Sequence, residues 1–389
     1  MLMADTALWL LTMAVMLHYG RLKKLSRTQT VAGAGNRQLP PVSLVVVAQE
    51  QAEQLREHLP AFLRQQYPAE FQVIVADIHS SDGTKKLLEE MELQYPNLTH
   101  TSVPASARDV SLQRLAMTLG LRTAFTEWVV FTQADCVPES DDWLARFMSV
   151  DTAGKNAILG MTRYAACPDW FMQKCQFFRL WQQMLWLPFA TKHRPYRADD
   201  TLLGYRREHF IGHQGFASDS RLLAGASTLL VNHNILPGQC TVSVGEGTLL
   251  VQDNPMPHSW HREQLFFMET RRHTLQHCLY RTWYAVCAWL PILFTLSSIA
   301  VCIAWIPGLL VVPDFLVVPD FLMAGLASAM WLAALVTGSI TFNSTAKQFG
   351  IRGLRLMFPV LSFMIPHWDA SAWLRWCFTD KRTFRKKFV

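Results

Sequence analysis

Trp128-Val-Val-Phe-Thr-Gln-Ala-Asp-Cys-Val-Pro138 is the stretch that decides the fold. Its apolar start, Trp128–Phe131, gives way to a polar turn in which Asp135 is the one carboxylate and position 133 holds a neutral Gln. A short apolar run without polar alternation suits a strand buried on both faces. Polar residues gathered at the carboxyl end of such a strand lie where open α/β sheets bind their ligands.

Upstream, the same grammar repeats. Val42–Ala48 is apolar apart from Ser43, and Phe71–Ala76 is a second such run, ending at Asp77. Leu98–Val103 reads as a third strand. Between them, Gln51–Gln66 has helical spacing through Leu55, Leu59, Phe62 and Leu63, and Lys85–Tyr95 and Leu112–Phe125 are also helical. Strands alternating with helices predict a parallel sheet covered on both faces. Asp77, Ser80, Ser81 and Asp82 follow one strand, and Gln133 and Asp135 another. This pattern suits a nucleotide-type ligand.

The flanks are apolar. Thr6–Gly20 carries no formal charge, and Arg21, Lys23 and Lys24 follow at once. A secretory signal carries its positive charges ahead of the apolar run. Residues 1–24 therefore read as a membrane anchor with its N-terminus outside, provided that Asp5 sits at the interface. Residues 25–40, rich in small and polar residues and closed by Pro40, read as a linker to a soluble region at 41–280. Thr282–Val312 and Phe321–Ala346 are uncharged, and each exceeds the ~20 residues a bilayer requires. Residues 281–346 are thus expected to form two spanning helices with a short outer hairpin. Val-Val-Pro-Asp-Phe-Leu occurs twice in tandem, at 311–316 and 317–322, and Pro313 and Pro319 assign it to that hairpin or its rims.

Most of the net charge of +6 sits in the tail, 347–389. There Arg352 and Arg355 mix with Leu, Met and Phe, and Trp368, Trp373 and Trp376 follow, as in amphipathic helices on an anionic inner leaflet. By the positive-inside rule the soluble region faces the cytoplasm, on a multi-pass membrane protein. A basic tail beside apolar helices, without a spread basic surface, argues against nucleic acid. The eight Cys show no CxxC spacing, so neither a zinc framework nor a disulfide scaffold is expected, only buried free thiols.

Pro41–Val47, Val73-Ile-Val-Ala-Asp-Ile-His-Ser-Ser-Asp-Gly-Thr84 and Val130–Pro138 together resemble glycosyltransferase family 2, in particular its membrane-anchored bacterial branch. The likeness continues through Gly204-Tyr-Arg206, Gly215-Phe216, Leu222-Leu-Ala-Gly225, Val231-Asn232 and Trp260, then Arg271-Arg272-His273. Order and spacing carry it. It implies a GT-A (Rossmann-like) nucleotide-sugar-binding domain at 41–280, and inverting transfer of a sugar from a UDP- or GDP-type donor to a lipid-linked or polysaccharide acceptor. Carried over residue by residue, the donor-binding set is Asp77, Ser80, Asp82, Arg114, Gln133, Asp135, Arg271 and Arg272. Asp77 and Ser80 would meet the nucleoside, Asp135 a Mg or Mn ion and the diphosphate, and Arg114 the diphosphate. Arg271 and Arg272 would meet the leaving group's charge.

The departures from the family pattern are chemical. Its Asp-Asp-Gly-Ser is Asp77-Ile78-His79-Ser80 here, and its Asp-x-Asp is Gln133-Ala134-Asp135. A hard cation prefers anionic oxygen, so the Mg or Mn site on Asp135 is weakened. Gly-Lys-Lys becomes Leu112-Gln113-Arg114, leaving one cation. Gly-Asp-Asp-Asp-Leu, which supplies the base for the acceptor hydroxyl, becomes Gly225-Ala226-Ser227-Thr228-Leu229. Losing a general base costs roughly 10²–10⁴ in rate. Arg-Gln-x-x-Arg becomes Met268-Glu269-Thr270-Arg271-Arg272. Asp199-Asp200, Asp219 and Glu269 are the carboxylates that could stand in, whereas Asp141 and Asp142 read as a helix start. His273 and His277 have the i, i+4 spacing of a shared metal ligand, but with His258 and His261 they lack a third ligand at a motif spacing and read as hydrogen-bonding groups. Two functions remain: an active transferase, or a catalytically inactive relative that partners one. A small transporter is a poor third reading, because the spans carry no charge to line a pathway.

Overall fold

The computed structural model describes residues 2–32, 38–107, 110–216, 222–275, 277–310, 318–352, 354 and 357–384. Helix α1 (Leu2–His18) leads into α2 (Gly20–Ala32). The stretch that composition marks as a linker therefore begins as helix. Tertiary contact explains this: α2 packs on the soluble domain, where the Gln29 side chain bonds the Val242 carbonyl and accepts from the Val244 N–H.

The core follows as β1 (Val42–Ala48), α3 (Ala52–Leu63), β2 (Phe71–Asp77), α4 (Thr84–Glu92), β3 (Leu98–Ser102), α5 (Leu112–Thr123) and β4 (Trp128–Gln133). All four strands run parallel, with β1 between β2 and β4. Every residue of β1 is buried, as a central strand covered by helices on both faces requires. After β4 the chain forms β5 (Cys136–Pro138), α6 (Trp143–Met148), β6 (Ala157–Leu159), β7 (Thr162–Tyr164), α7 (Trp170–Ala190), β8 (Leu203–Arg206), α8 (Arg207–Gly212), α9 (Ala226–Asn234), β9 (Cys240–Val242) and β10 (Leu250–Gln252). The main sheet has the order β3-β2-β1-β4-β8-β6-β9, in which β8 runs antiparallel to both β4 and β6. A second sheet, β5-β10-β7, stands beside the end of β4. The whole is a mixed α/β, Rossmann-like core.

The chain then turns to long helices: α10 (Pro257–His273), α11 (His277–Leu310), α12 (Val318–Gln348) and α13 (Phe358–Phe378), with a 3-10 turn at Lys381–Phe384. Among the described residues, Cys278–Ile303 and Ala324–Gln348 are long and apolar enough to cross a membrane. Helix α1, at 17 residues, is not among them. It packs along α11 and α12. Thr345 Oγ1 donates to the Tyr19 carbonyl at 3.3 Å, and Lys23 bonds Ser344. At the other end Ser298 Oγ donates to Asp5 Oδ1 at 3.4 Å. Thus α1 runs parallel to α12 and antiparallel to α11, and Asp5 is fully buried against α11, not set at a water-facing rim. The first copy of the tandem hexapeptide lies outside the described residues. Val318 onward opens α12, where Pro319 falls in the first turn and costs no helical hydrogen bond.

The tail is sewn back into the domain. The Leu223 N–H donates to the Phe384 carbonyl at 2.9 Å, and the Phe384 ring is buried with Leu222, Ala224 and Leu229. All eight cysteines are free, and Cys278 and Cys377 are exposed, the others buried or partly so.

Candidate active site

Strand register assembles the site. Ala48 of β1 pairs with Asp77, and Val47 pairs with Gln133, so the carboxyl ends of β2 and β4 flank that of β1 at one level. Two strand spacings separate them, about 10 Å. Glu50 and His79 both adopt left-handed backbone, at φ +52° and +50°. Such strain persists where surrounding structure enforces it, and it clusters at functional sites. Here the enforcement is visible. Ser80 Oγ accepts from the Glu50 N–H at 2.8 Å and donates to Asp77 Oδ1 at 2.5 Å, while the Ser81 N–H donates to Glu50 Oε1 at 2.8 Å. Asp77 itself is 3 % exposed. Asp82 joins the two loops from outside. Its oxygens accept from the Ala52 N–H at 2.8 Å and from the Thr84 N–H at 3.1 Å.

On the β4 side, Asp135 is oriented from the second sheet. Gln252 Nε2 donates to Asp135 Oδ2 at 2.8 Å, and Arg179 Nη1 donates to Gln252 Oε1 at 2.5 Å. The Arg179 guanidinium lies on the Tyr164 ring, 3.7 Å from its centroid. The next residue, Asp253, donates its N–H to the Asp135 carbonyl at 2.9 Å, and His58 Nε2 is 3.7 Å from its carboxylate. Burial, together with the Asp135 and Glu57 charges, pushes the Asp253 carboxyl above the usual range, against the pull of His58. Gln252, Asp253, His58 and Arg179 do not stand out in the sequence. A three-residue strand such as β10 is too short to show periodicity.

Among the described residues no group of three or more His, Cys, Asp or Glu is placed to hold a metal ion. A Mg or Mn ion on a nucleotide typically takes one or two carboxylates, and phosphate oxygens and water complete its shell. Asp135 with the adjacent Asp253 fits a cation shared with a bound diphosphate. It does not fit a cation caged by protein alone.

The arginines of the donor set have partners within the protein. Arg114 is buried, donates to the Ala224 carbonyl at 2.8 Å and sits 5.5 Å from the Phe216 ring centroid. It braces the approach to α9. Arg271 is 3.6 Å from Asp369 of α13 and lies against Phe267 and Tyr284, while Arg272 covers Trp376. Glu269 is buried. Its oxygens take Trp376 Nε1 at 2.8 Å and face His273 Nε2 at 3.2 Å. Burial opposes its charge, yet those two bonds prevail and hold its carboxyl below the usual range. Glu269 is thus a buckle between α10 and α13, not a stand-in base. Asp219 and the His277 side chain lie outside the described residues.

Asp369→Ala leaves the mostly buried Arg271 charge without its partner, and we expect a loss of ~3 kcal/mol. Thermal unfolding in detergent checks this; an unchanged midpoint would mean that the Arg271–Asp369 pair does not hold α13.

Around Ala226, Ser227 and Thr228 no carboxylate comes from α9 itself. Asp200, from the loop before β8, reaches there: its Oδ1 accepts from the Ser227 N–H at 2.7 Å, and its Oδ2 accepts from Gln113 Nε2 at 3.2 Å. Asp199 points another way, toward Gln183 and Arg197.

With this geometry in hand, comparison with known proteins gives three findings. The family described as glycosyltransferase-like family 2 matches residues 40–197. Glycosyltransferase AglE of Haloferax volcanii is 29% identical over 125 residues, which are 30% of this chain and 40% of that protein, so the match spans about two fifths of the relative's length. The structure of mannosyltransferase PcManGT from Pyrobaculum calidifontis, in complex with GDP-Man and Mn2+, is similar with a TM-score of 0.50 at 15% identity, covering 95% of this chain and 99% of that one.

Proposed function

We propose, with fold homology to family-2 glycosyltransferases as the premise, that this chain transfers a sugar, with inversion, from a UDP- or GDP-type donor to a lipid-linked or polysaccharide acceptor at a membrane. The observation that carries this is the meeting of Asp77 and the Gln133–Asp135 turn on either side of the β1 carboxyl end. Asp77 and Ser80 receive the nucleoside, with Asp82 fixing their loop. Gln133 and Asp135 face the diphosphate. Asp135 and Asp253 are the residues that would hold a Mg or Mn ion with the diphosphate, and such an ion would supply positive charge to the phosphate oxygens. Arg114 and Arg271 serve by bracing α9 and α13.

Helix α1 is proposed as a third span. Its direction supports this, because it brings Arg21, Lys23 and Lys24 to the domain-bearing end of α11 and α12. With the basic tail at that end too, the positive-inside rule assigns the domain to the cytoplasmic side of the inner membrane. Val360, Trp373, Leu374 and Phe378 of α13 are exposed, and suit a helix lying on the leaflet.

The test is calorimetric binding of UDP and GDP to the full chain in detergent, with and without Mn2+, followed by labelled UDP- and GDP-sugars, GDP-Man included, with total membrane lipid as acceptor. We expect binding that Mn2+ tightens by less than ~10-fold, equivalent to 1.4 kcal/mol, and label transferred to lipid. Nucleotide binding without turnover of any donor would instead support the silent partner, to which the substitutions at 133 and 226–228 point. No nucleotide binding at all would sink both.

A further inference from the structure

We infer that Asp200 is the catalytic base of this chain, taking over the task that aspartate at 226–228 performs in the family it resembles. The assignment rests on the transferase reading above and adds to it the residue that receives the acceptor's proton.

The frame around α9 is built for this exchange. The helix starts at left-handed Gly225, φ +61°, and no side chain of its own segment caps it. Its Ser227 N–H is met by Asp200 from a loop 27 residues away in sequence. Thr228 fastens that loop, its Oγ1 donating to the Ala198 carbonyl at 2.7 Å and accepting from the Ala198 N–H at 3.3 Å. Aspartate at 228 could not make the donating half of this clasp, so loss of an acid there and recruitment of Asp200 belong together. Gln113 and Arg114, neighbours on α5, hold the Asp200 carboxylate and the Ala224 carbonyl respectively. Ala226 and Ser227 are fully buried and Thr228 nearly so, whereas Asp200 is part-exposed. A base for an incoming hydroxyl has to be reachable, and here Asp200 is.

Among the described residues no Lys, Arg or His forms an ion pair with Asp200; its two contacts are an amide N–H and a neutral carboxamide. A carboxylate so placed is oriented but keeps lone pairs for a proton. The step balances. The acceptor oxygen bonds to the anomeric carbon, and the bond from that carbon to the diphosphate oxygen breaks with its electron pair on the diphosphate. The acceptor's proton passes to Asp200. Attack from the face opposite the leaving group inverts the anomeric centre.

A plain helix cap would show the same Ser227 contact, and Asp200→Asn separates the two roles. The carboxamide oxygen still accepts from Ser227, but the group no longer takes a proton at neutral pH. We expect turnover of the labelled UDP- or GDP-sugar to fall by about 10²- to 10⁴-fold, with UDP or GDP affinity and the thermal midpoint unchanged. In Asp200→Ala, sodium formate should restore part of the lost rate. Three results overturn the assignment: Asp200→Asn turning over at more than a third of the wild-type rate, nucleotide affinity falling in step with rate, or a wild-type chain that binds nucleotide but transfers nothing. The first leaves the transferase reading standing and makes Asp200 a cap. The last removes that reading as well.

Discussion

Asp135→Ala is expected to lower sugar transfer by about 10²- to 10³-fold, the loss typical when one group that stabilises developing charge is removed. Asp135 is the one carboxylate left in its turn, and its orientation is not its own. Gln252 holds it, and Arg179 holds Gln252. Removing the side chain takes away the charge that a diphosphate-bound cation would use, and it leaves Gln252 without an acceptor. Nucleotide affinity should fall together with rate, because diphosphate contacts form on binding. Calorimetry and initial rates on the same preparation measure both. Turnover within threefold of wild type would show that the β4 turn does not touch the donor. Gln252→Leu is the milder companion: it leaves Asp135 charged but unoriented, so its rate should lie between the two.

Gly225→Val should be the most destabilising single change near the site. The residue sits at φ +61°, and an added Cβ would lie 2.3 Å from Thr270 Cγ2 and 2.5 Å from its Oγ1. Left-handed backbone costs an L-residue about 1–2 kcal/mol, and overpacking adds roughly 1–3 kcal/mol. A β-branched side chain is the poorest fit to that conformation. The total, roughly 2–5 kcal/mol, would be read from thermal or denaturant unfolding in detergent. Gly225→Ala should cost less, and Gly225→Ala with Thr270→Ala less again, since the second change removes the two closest contacts, leaving Thr270 Cβ at 3.0 Å, but does not remove the backbone strain. If the double variant is no better than Gly225→Ala, the packing part of the account fails. Any shift of α9 also displaces the Ser227 N–H from Asp200, so activity should fall further than stability alone explains.

The half of the site made by β1, β2 and β4 is legible in the sequence. Val42–Ala48, Phe71–Asp77 and Trp128–Gln133 are buried strands of ordinary length, and each announces itself by a mostly apolar run, interrupted by Ser43 in the first and Gln72 in the second and ending in polar residues in the second and third. Their helices begin and end within a few residues of the spacing-based reading. The other half is not legible, for a physical reason. β5, β7 and β10 have three residues each, too few for a period, and the groups they position (Gln252, Asp253) gain meaning only from contacts across the second sheet. Asp200 is legible in part: the sequence offers Asp199-Asp200, Asp219 and Glu269 as stand-ins for the residues lost at 226–228, and it takes the contact of Asp200 with the Ser227 N–H to single one out. Helix α2 escapes a simple compositional reading because Gln29, polar and loop-like in isolation, bonds the backbone of β9 and of Val244, two residues past it.

The Leu223–Phe384 bond has a consequence for the order of assembly during synthesis. Chains emerge from the ribosome N-terminus first, at about 5–20 residues per second. The pocket half at 77 and 135 can close early, while α11 and α12 are still unmade. Leu223, in front of α9, receives its backbone acceptor only when residue 384 has been added. A nascent chain stalled within the final helices should therefore already carry the β1–β2–β4 core, while Leu223 in front of α9 still lacks its Phe384 partner.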